Sequence, residues 1–341
     1  VIVEGYEIDE EQIYAWIRQN SVRSVLVEAP DGLKRIAVAV AGLLEDKGLT
    51  VFLLASHTWG GCDVGYREAR ELGVDGIIHI GHHGPVWFSP PSKPRVLFVP
   101  AFSTVDPTPL VLEAALEARR EGARSLSVVT TVQHVKWLPE WKRALSELGL
   151  EVITGSYSGF EGLIVGCNYT SLRASDAVIV VAGGRFHALG AAIWSGRPTW
   201  EVDPYQRRVY KVETVAILSR RLFSLSRAME ARAFMVLVST KPGQNRLDVA
   251  AKIKRALEEK KRKAVIVVFN DISREQVENF QGFDAYVNTA CPRLAIDDES
   301  IFPGPALNPG EVKYILRGSL EGYSLRDALL LDLRDLRLSA P

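Results

Sequence analysis

Short, nearly all-apolar runs recur along the whole chain, separated by longer stretches in which apolar residues return at helical spacing. The runs predict strands at Ser24–Glu28, Val51–Leu54, Ile77–Ile80, Val96–Val99, Leu126–Thr130, Leu163–Val165, Val178–Val181, Thr199–Val202, Phe234–Val238, Ala264–Phe269 and Ala285–Val287. They do not alternate, as befits strands covered on both faces. Between them, Ile36–Leu44 reads as a buried helix. Thr108 followed by Pro109 reads as N-cap and first helical residue of Leu110–Arg120, with Gly122 past its end. Ser273 and Gln276 have capping-box spacing. Such alternation of strand and helix predicts an α/β fold of parallel sheets.

A longer repeat underlies this pattern. Val74-Asp-Gly-Ile-Ile-His-Ile80, Ser175-Asp-Ala-Val-Ile-Val-Val181 and Phe283-Asp-Ala-Tyr-Val-Asn-Thr289 share a helix exit, an Asp, a small residue and a strand. The copies recur about every hundred residues, too far apart for a solenoid. Each then meets a Pro-containing loop, a short strand and Asp106-Pro107, Asp203-Pro204 or Asn308-Pro309. Three similar small Rossmann-like parallel-sheet domains are expected, at 1–104, 105–215 and 216–341, in a pseudo-threefold arrangement.

Composition narrows the function. The 341 residues are 47% hydrophobic and 24% charged, with 41 basic against 41 acidic residues. Disorder is excluded, and no global field exists for nucleic acid or an anionic membrane. No apolar run approaches the ~18–20 residues that span a bilayer, and no basic-then-apolar leader opens the chain. A cytoplasmic protein without membrane or direct nucleic-acid contact is expected. The three cysteines are too few and odd in number for a disulfide framework. They fall one per repeat: Cys62 after the strand at 51–54, Cys167 after that at 163–165, and Cys291 after that at 285–287. All three follow carboxyl ends of strands, where open α/β sheets take ligands. Thiolates select zinc, Cu(I) or iron–sulfur clusters. Zinc-binding cysteines usually come as close pairs, and no such cysteine pair occurs here. A [4Fe–4S] cluster normally takes four cysteines, so three leave one iron open. Spacing also permits three unrelated buried thiols.

Val181-Ala-Gly-Gly-Arg-Phe-His187-Ala-Leu-Gly190 runs from a strand through Gly183-Gly184 into a helix, a start whose amides hold anions. Arg185 and His187 stand beside it, and a carboxylate is a fitting guest; a ligand-free turn is the alternative. The run is not GxGxxG, and no Walker A motif occurs. His79-Ile-Gly-His82-His83 suggests pocket lining or proton chemistry more than a metal site, since adjacent His82 and His83 do not easily face one point. Ser239-Thr-Lys-Pro-Gly-Gln244 has the look of a ligand loop. The basic run Lys252–Lys263 reads as a solvated helix face with cations near its C-terminal end.

Adding Asn288-Thr-Ala-Cys291-Pro-Arg293 and Ile296-Asp-Asp298, the chain resembles the archaeal 2-(3-amino-3-carboxypropyl)histidine synthase family, which performs the first step of diphthamide biosynthesis. The likeness also covers Ala29-Pro-Asp-Gly-Leu33, Gly60-Gly-Cys62, His79-Ile-Gly-His82, Gly166-Cys167, Gly183-Gly-Arg-Phe-His187, Asp203-Pro-Tyr205 and Ser239–Gln244. Two positions depart: Trp59-Gly60-Gly61 stands where the family often has Tyr-Gly-Ala, and His83 where it often has Ser. The resemblance implies a [4Fe–4S] cluster on Cys62, Cys167 and Cys291, with S-adenosylmethionine at the open iron. Gly183, Gly184, Arg185, His187 and Gln244 are the candidate contacts to that cosubstrate. The reduced cluster would cleave the sulfonium and release a 3-amino-3-carboxypropyl radical, which adds to a histidine of translation elongation factor 2. An external electron donor and a homodimer are implied as well. Quinolinate synthase, whose similar body carries a three-cysteine cluster used as a Lewis acid, is the nearest rival; the order of Asn288–Arg293 and Gly183–Gly190 argues against it. A cluster-free binding protein is the alternative from another class.

Overall fold

In the computed structural model, which describes residues 1–331, each third of the chain contributes a mainly parallel sheet. The first sheet holds β1 (Ser24–Glu28), β2 (Thr50–Leu53), β3 (Gly76–Ile80) and β4 (Arg95–Val99). The second holds β5 (Ser125–Thr130), β6 (Glu151–Val152), β7 (Ala177–Val181), β8 (Thr199–Asp203) and β9 (Arg208–Lys211). The third holds β10 (Ala233–Ser239), β11 (Lys263–Phe269), β12 (Ala285–Asn288) and β13 (Ala306–Leu307). Reading across, the orders are β2-β1-β3-β4, β6-β5-β7-β8-β9 and β11-β10-β12-β13. The sequence repeat is therefore a repeat of topology, with an antiparallel β9 added to the second sheet.

Helices cover these strands through apolar stripes. α1 (Glu10–Asn20) and α2 (Lys34–Glu45) bury Ile13, Ile17, Ile36 and Val40 against β1 and β3. α3 (Tyr66–Leu72) packs Ala69 on the other face of that sheet. α4 (Thr108–Arg120) and α5 (Leu138–Glu147) bury Ala114, Ala118, Trp141 and Leu145 on the second sheet. α6 (Phe186–Ser195) follows β7. α7 (Val215–Met229) and α8 (Leu247–Glu259) close the third sheet, and α9 (Arg274–Glu278), α10 (Arg293–Ile296) and α11 (Val312–Arg317) complete the set. No helix among the described residues is long and apolar enough to cross a membrane.

The repeated Asp has the same physical role each time. Asp75 Oδ2 accepts the N–H groups of Arg23 and Ser24, each at 2.9 Å, and the Ser24 hydroxyl. Asp176 does the same for Arg124 and Ser125, and Asp284 accepts the two amides of Arg232 and Ala233. Each carboxylate thus pins the residue before the third strand to the start of the first. These donors hold all three carboxyl groups below the ordinary 3.8.

Several local expectations change. Leu163–Val165 is not a strand: Leu163 makes one isolated bridge to Thr130, and its apolar character reflects burial rather than pairing. Gly162 (φ +72°) bends the chain just before it. The second strand here is β6, too short to show in the sequence. α4 begins at Thr108 itself, and the acceptor for the Thr108 N–H is Asp106 Oδ1 at 2.8 Å. Thr108 is therefore not the cap, because its hydroxyl is buried without a partner. The Ser273–Gln276 capping box forms as expected. The basic run ends α8 and the turn after it; Lys254 pairs with Glu258, and Arg262 donates to the Ala228 and Met229 carbonyls at the end of α7.

Contacts gather the chain into two compact units. One comprises Val1–Val165, Thr170–Ala188 and Arg197–Lys211; the other comprises Gly166–Tyr169, Leu189–Gly196 and the described residues from Val212 onward. Residues 332–341 of the expected third domain lie outside the described residues.

The three carboxyl groups have lowered values, so their stabilisation is complete above the unfolded value and fades as pH falls through the folded ones. The stability of the wild type against urea should fall steeply below pH ~4, and the triple variant Asp75→Asn, Asp176→Asn, Asp284→Asn should show a flatter dependence there. Equal slopes would remove this role.

Candidate functional site

In the first unit, two loops past the ends of β2 and β3 meet around Glu28, the last residue of β1. Glu28 and His79 are wholly buried. Glu28 Oε2 accepts the Gly65 N–H at 2.8 Å, which anchors the loop carrying Cys62. Its other oxygen, Oε1, lies 2.5 Å from His79 Nδ1, and His79 Nε2 lies 2.7 Å from His82 Nδ1. The Val86 N–H donates to Gly61 O at 3.1 Å, closing the cysteine loop onto the histidine loop. The approach is so tight that a Cβ on Gly61 would lie 2.0 Å from Gly84 O. His83 packs its ring on Tyr157.

Burial keeps these imidazoles neutral. It pushes His79 down to about 3 and His83 to about 4. His82 is also well below its ordinary value through burial, reinforced by His79, His83 and His187. His187, in the first turn of α6, is one of the groups that act electrostatically on His82, which puts the GGRFH and HxGH motifs in one neighbourhood. Gln133 Nε2 donates to Gly81 O and supports this junction. Among the described residues, no group of three or more His, Cys, Asp or Glu side chains is placed to hold one metal ion. The histidines form a hydrogen-bonded chain instead.

The Gly183-Gly184 turn precedes α6, with Gly184 at φ +79°. Its expected open amide is occupied: Gly184 N–H donates to Asp203 Oδ2 at 3.2 Å. Asp203 Oδ1 also accepts the amides of Tyr205 and Gln206, which explains the Asp203-Pro-Tyr205 motif. Arg185 is exposed and is the cation of this loop. Nearby Glu201 is raised to about 7 by burial and by Asp203, against the pull of Arg185.

Cys167 and Cys291 belong to the second unit, whereas Cys62 belongs to the first. None of the three is in a disulfide, and each is of intermediate exposure. Burial raises the Tyr169 phenol, with further contributions from Cys167 and Cys291, so both thiols stand near that ring. Tyr169 donates to Gly166 O and packs so close to α6 that a Cβ on Gly190 would lie 1.7 Å from its hydroxyl. The Cys291 loop is fixed by a buried amide pair. Asn288 Nδ2 donates to Cys291 O at 2.7 Å and to Asn308 Oδ1 at 2.8 Å, while Asn308 Nδ2 reaches Pro292 O and Ala328 O. Arg246 donates to the carbonyls of Thr289 and Ala290, joining this loop to the Ser239–Gln244 turn. In that turn Gln244 is buried with its N–H on Lys241 O, and Lys241 pairs with Asp271 at 3.0 Å. Behind them, buried Arg221 donates to both oxygens of Glu311 and to the Ala295 and Ala306 carbonyls.

Residues 29–324 match the family described as "Putative diphthamide synthesis protein". The chain is 34% identical to the 2-(3-amino-3-carboxypropyl)histidine synthase of Pyrococcus horikoshii, covering 95% of this chain and 94% of that protein. The chain belongs to the 2-(3-amino-3-carboxypropyl)histidine synthase family. The crystal structure of Dph2 from Pyrococcus horikoshii with a 4Fe-4S cluster is similar at TM-score 0.84 and 33% identity, over 94% of this chain and 93% of that one. The Methanocaldococcus jannaschii synthase is 25% identical over 87% of this chain and 85% of its own length. Within the family framework, Glu28, Tyr169 and Arg246 are the residues that motif reading missed, while Asn308 entered it only as part of the repeated Asn308-Pro309 pair. Glu28 directly precedes the Ala29-Pro-Asp-Gly motif and Tyr169 lies two residues past a cysteine, so proximity was their only signal.

Asn308→Ala removes a donor from two buried carbonyls and an acceptor from Asn288. Urea unfolding should show a loss of about 2–3 kcal/mol, with faster modification of Cys291 by thiol reagents. An unchanged modification rate would separate Asn308 from the Cys291 loop.

Proposed function

We propose that this chain is a 2-(3-amino-3-carboxypropyl)histidine synthase that transfers the 3-amino-3-carboxypropyl group of S-adenosylmethionine to a histidine of translation elongation factor 2. Near-full-length similarity to the Pyrococcus horikoshii enzyme carries the reading. Cys62, Cys167 and Cys291 are the ligands of a [4Fe–4S] cluster under this proposal. The donor set suits that group: three partly accessible thiols outside any disulfide, two of which act electrostatically on the same buried tyrosine. A cluster spreads its ligands over separate irons, so it does not require the tight grouping of a single-ion site. When bound and reduced, the cluster supplies the electron that cleaves the sulfonium and yields the aminocarboxypropyl radical.

The chain's own residues orient the partners. Gly183, Gly184, Arg185, His187 and Gln244 are assigned to S-adenosylmethionine. With the Gly184 amide engaged by Asp203, the exposed Arg185 guanidinium is the group suited to the methionine carboxylate. The proposal retains three repeats at 1–104, 105–215 and 216–341 around a pseudo-threefold axis, supported by their common strand order. A cytoplasmic homodimer served by an external electron donor completes it.

Anaerobic incubation of the reduced protein with S-adenosylmethionine and elongation factor 2, followed by mass spectrometry, should show one aminocarboxypropyl group on a histidine. Absence of both that adduct and methylthioadenosine would sink the reading. Single Cys62→Ala, Cys167→Ala and Cys291→Ala proteins should each lose most of their iron; native iron content in all three would overturn the ligand assignment.

A further inference from the structure

Glu28, His79 and His82 form a continuous hydrogen-bonded chain that leads from the interior of the first unit to a partly exposed imidazole. Its proton order follows from chemistry. Carboxylate oxygens accept, and Glu28 Oε2 already accepts from Gly65, so His79 donates from Nδ1 to Oε1. His79 Nε2 then bears a lone pair and accepts from His82 Nδ1 at 2.7 Å. The remaining nitrogen, His82 Nε2, is left without a proton. A neutral histidine locked in this tautomer is a base aimed by its neighbours.

Resting on the function proposed above, we propose that His82 Nε2 takes the proton that leaves the imidazole carbon of the substrate histidine, with His79 and Glu28 as positioning residues. The overall transfer needs such an acceptor. One S–C bond of S-adenosylmethionine breaks, one C–C bond forms, and one imidazole C–H bond breaks. The products are the modified histidine, methylthioadenosine and one proton, with no net oxidant or reductant consumed.

Uptake at Nε2 does not strand a cation in a buried site. His82 passes its Nδ1 proton to His79, and His79 passes its own to Glu28, so the charge is neutralised at the carboxylate. The surrounding groups define the electrostatics: His83 and His187 act on His82, Asp63 acts on His79, and Glu28 acts on Lys34 and Tyr66. The same carboxylate holds the Cys62 loop through Gly65, which couples the base to the cysteine loop by one side chain.

Nitrogen-15 NMR of imidazole-labelled protein tests the chain without turnover. His79 and His82, assigned by loss of signal in His79→Gln and His82→Gln, should both be Nδ1–H tautomers at pH 7. A proton on His82 Nε2 would overturn the relay. In turnover, His82→Gln keeps a donor for His79 yet removes the base. Transfer to elongation factor 2 should fall about 10²–10³-fold, methylthioadenosine released per group transferred should rise, and added imidazole should restore transfer in His82→Ala. Transfer within threefold of wild type, or no imidazole rescue, counts against His82. A wild type that makes neither adduct nor methylthioadenosine counts against the proposed function instead, while the tautomer measurement still decides the relay.

Discussion

In each parallel sheet a single aspartate takes the amides of two successive residues at the start of the first strand, and everything placed at the opposite end depends on that register. Asp75, Asp176 and Asp284 lie just before the third strand and tie it to the first at their amino ends. Parallel strands so aligned release their carboxyl ends together on one side of the sheet. The loops there are then free to carry chemistry without bearing the register.

Those loops are used unequally. After the first strands come Ala29-Pro-Asp-Gly in the first sheet and Ser239–Gln244 in the third. After the second strands come Cys62 and Cys167. After the third strands come the histidines, the Gly183–His187 turn and Cys291. The cysteines therefore do not occupy equivalent positions: two precede the pinning aspartate of their repeat and one follows it. Repetition of the scaffold has been kept while the loops diverged, so a shared fold says little about which loop carries which group.

Strand and helix assignments were legible because buried parallel strands leave unbroken apolar runs, as at Val178–Val181 and Phe234–Val238. Short edge elements such as Glu151–Val152 leave no such trace. The candidate site was legible where a residue type is rare, as for cysteine, or where histidines cluster. It was opaque where function depends on a common residue placed by tertiary contacts. Only its place before Ala29-Pro-Asp-Gly sets Glu28 apart from the other acidic residues until its two oxygens are seen on Gly65 and His79. Asp203 is the converse: a sequence that advertises an anion site at Gly184 has filled that amide from within.

Gly61 of the Trp59-Gly60-Gly61 segment and the loop that carries His83 are neighbours across one gap. The Gly61 loop rests on the carbonyl of Gly84, the residue after His83, at a distance no side chain at 61 could share. Alanine at 61 would force the two loops apart, and serine in place of His83 would leave less bulk beside Tyr157 to keep them in place. A chimaera that exchanges only one of the two loops between relatives inherits a collision or a void.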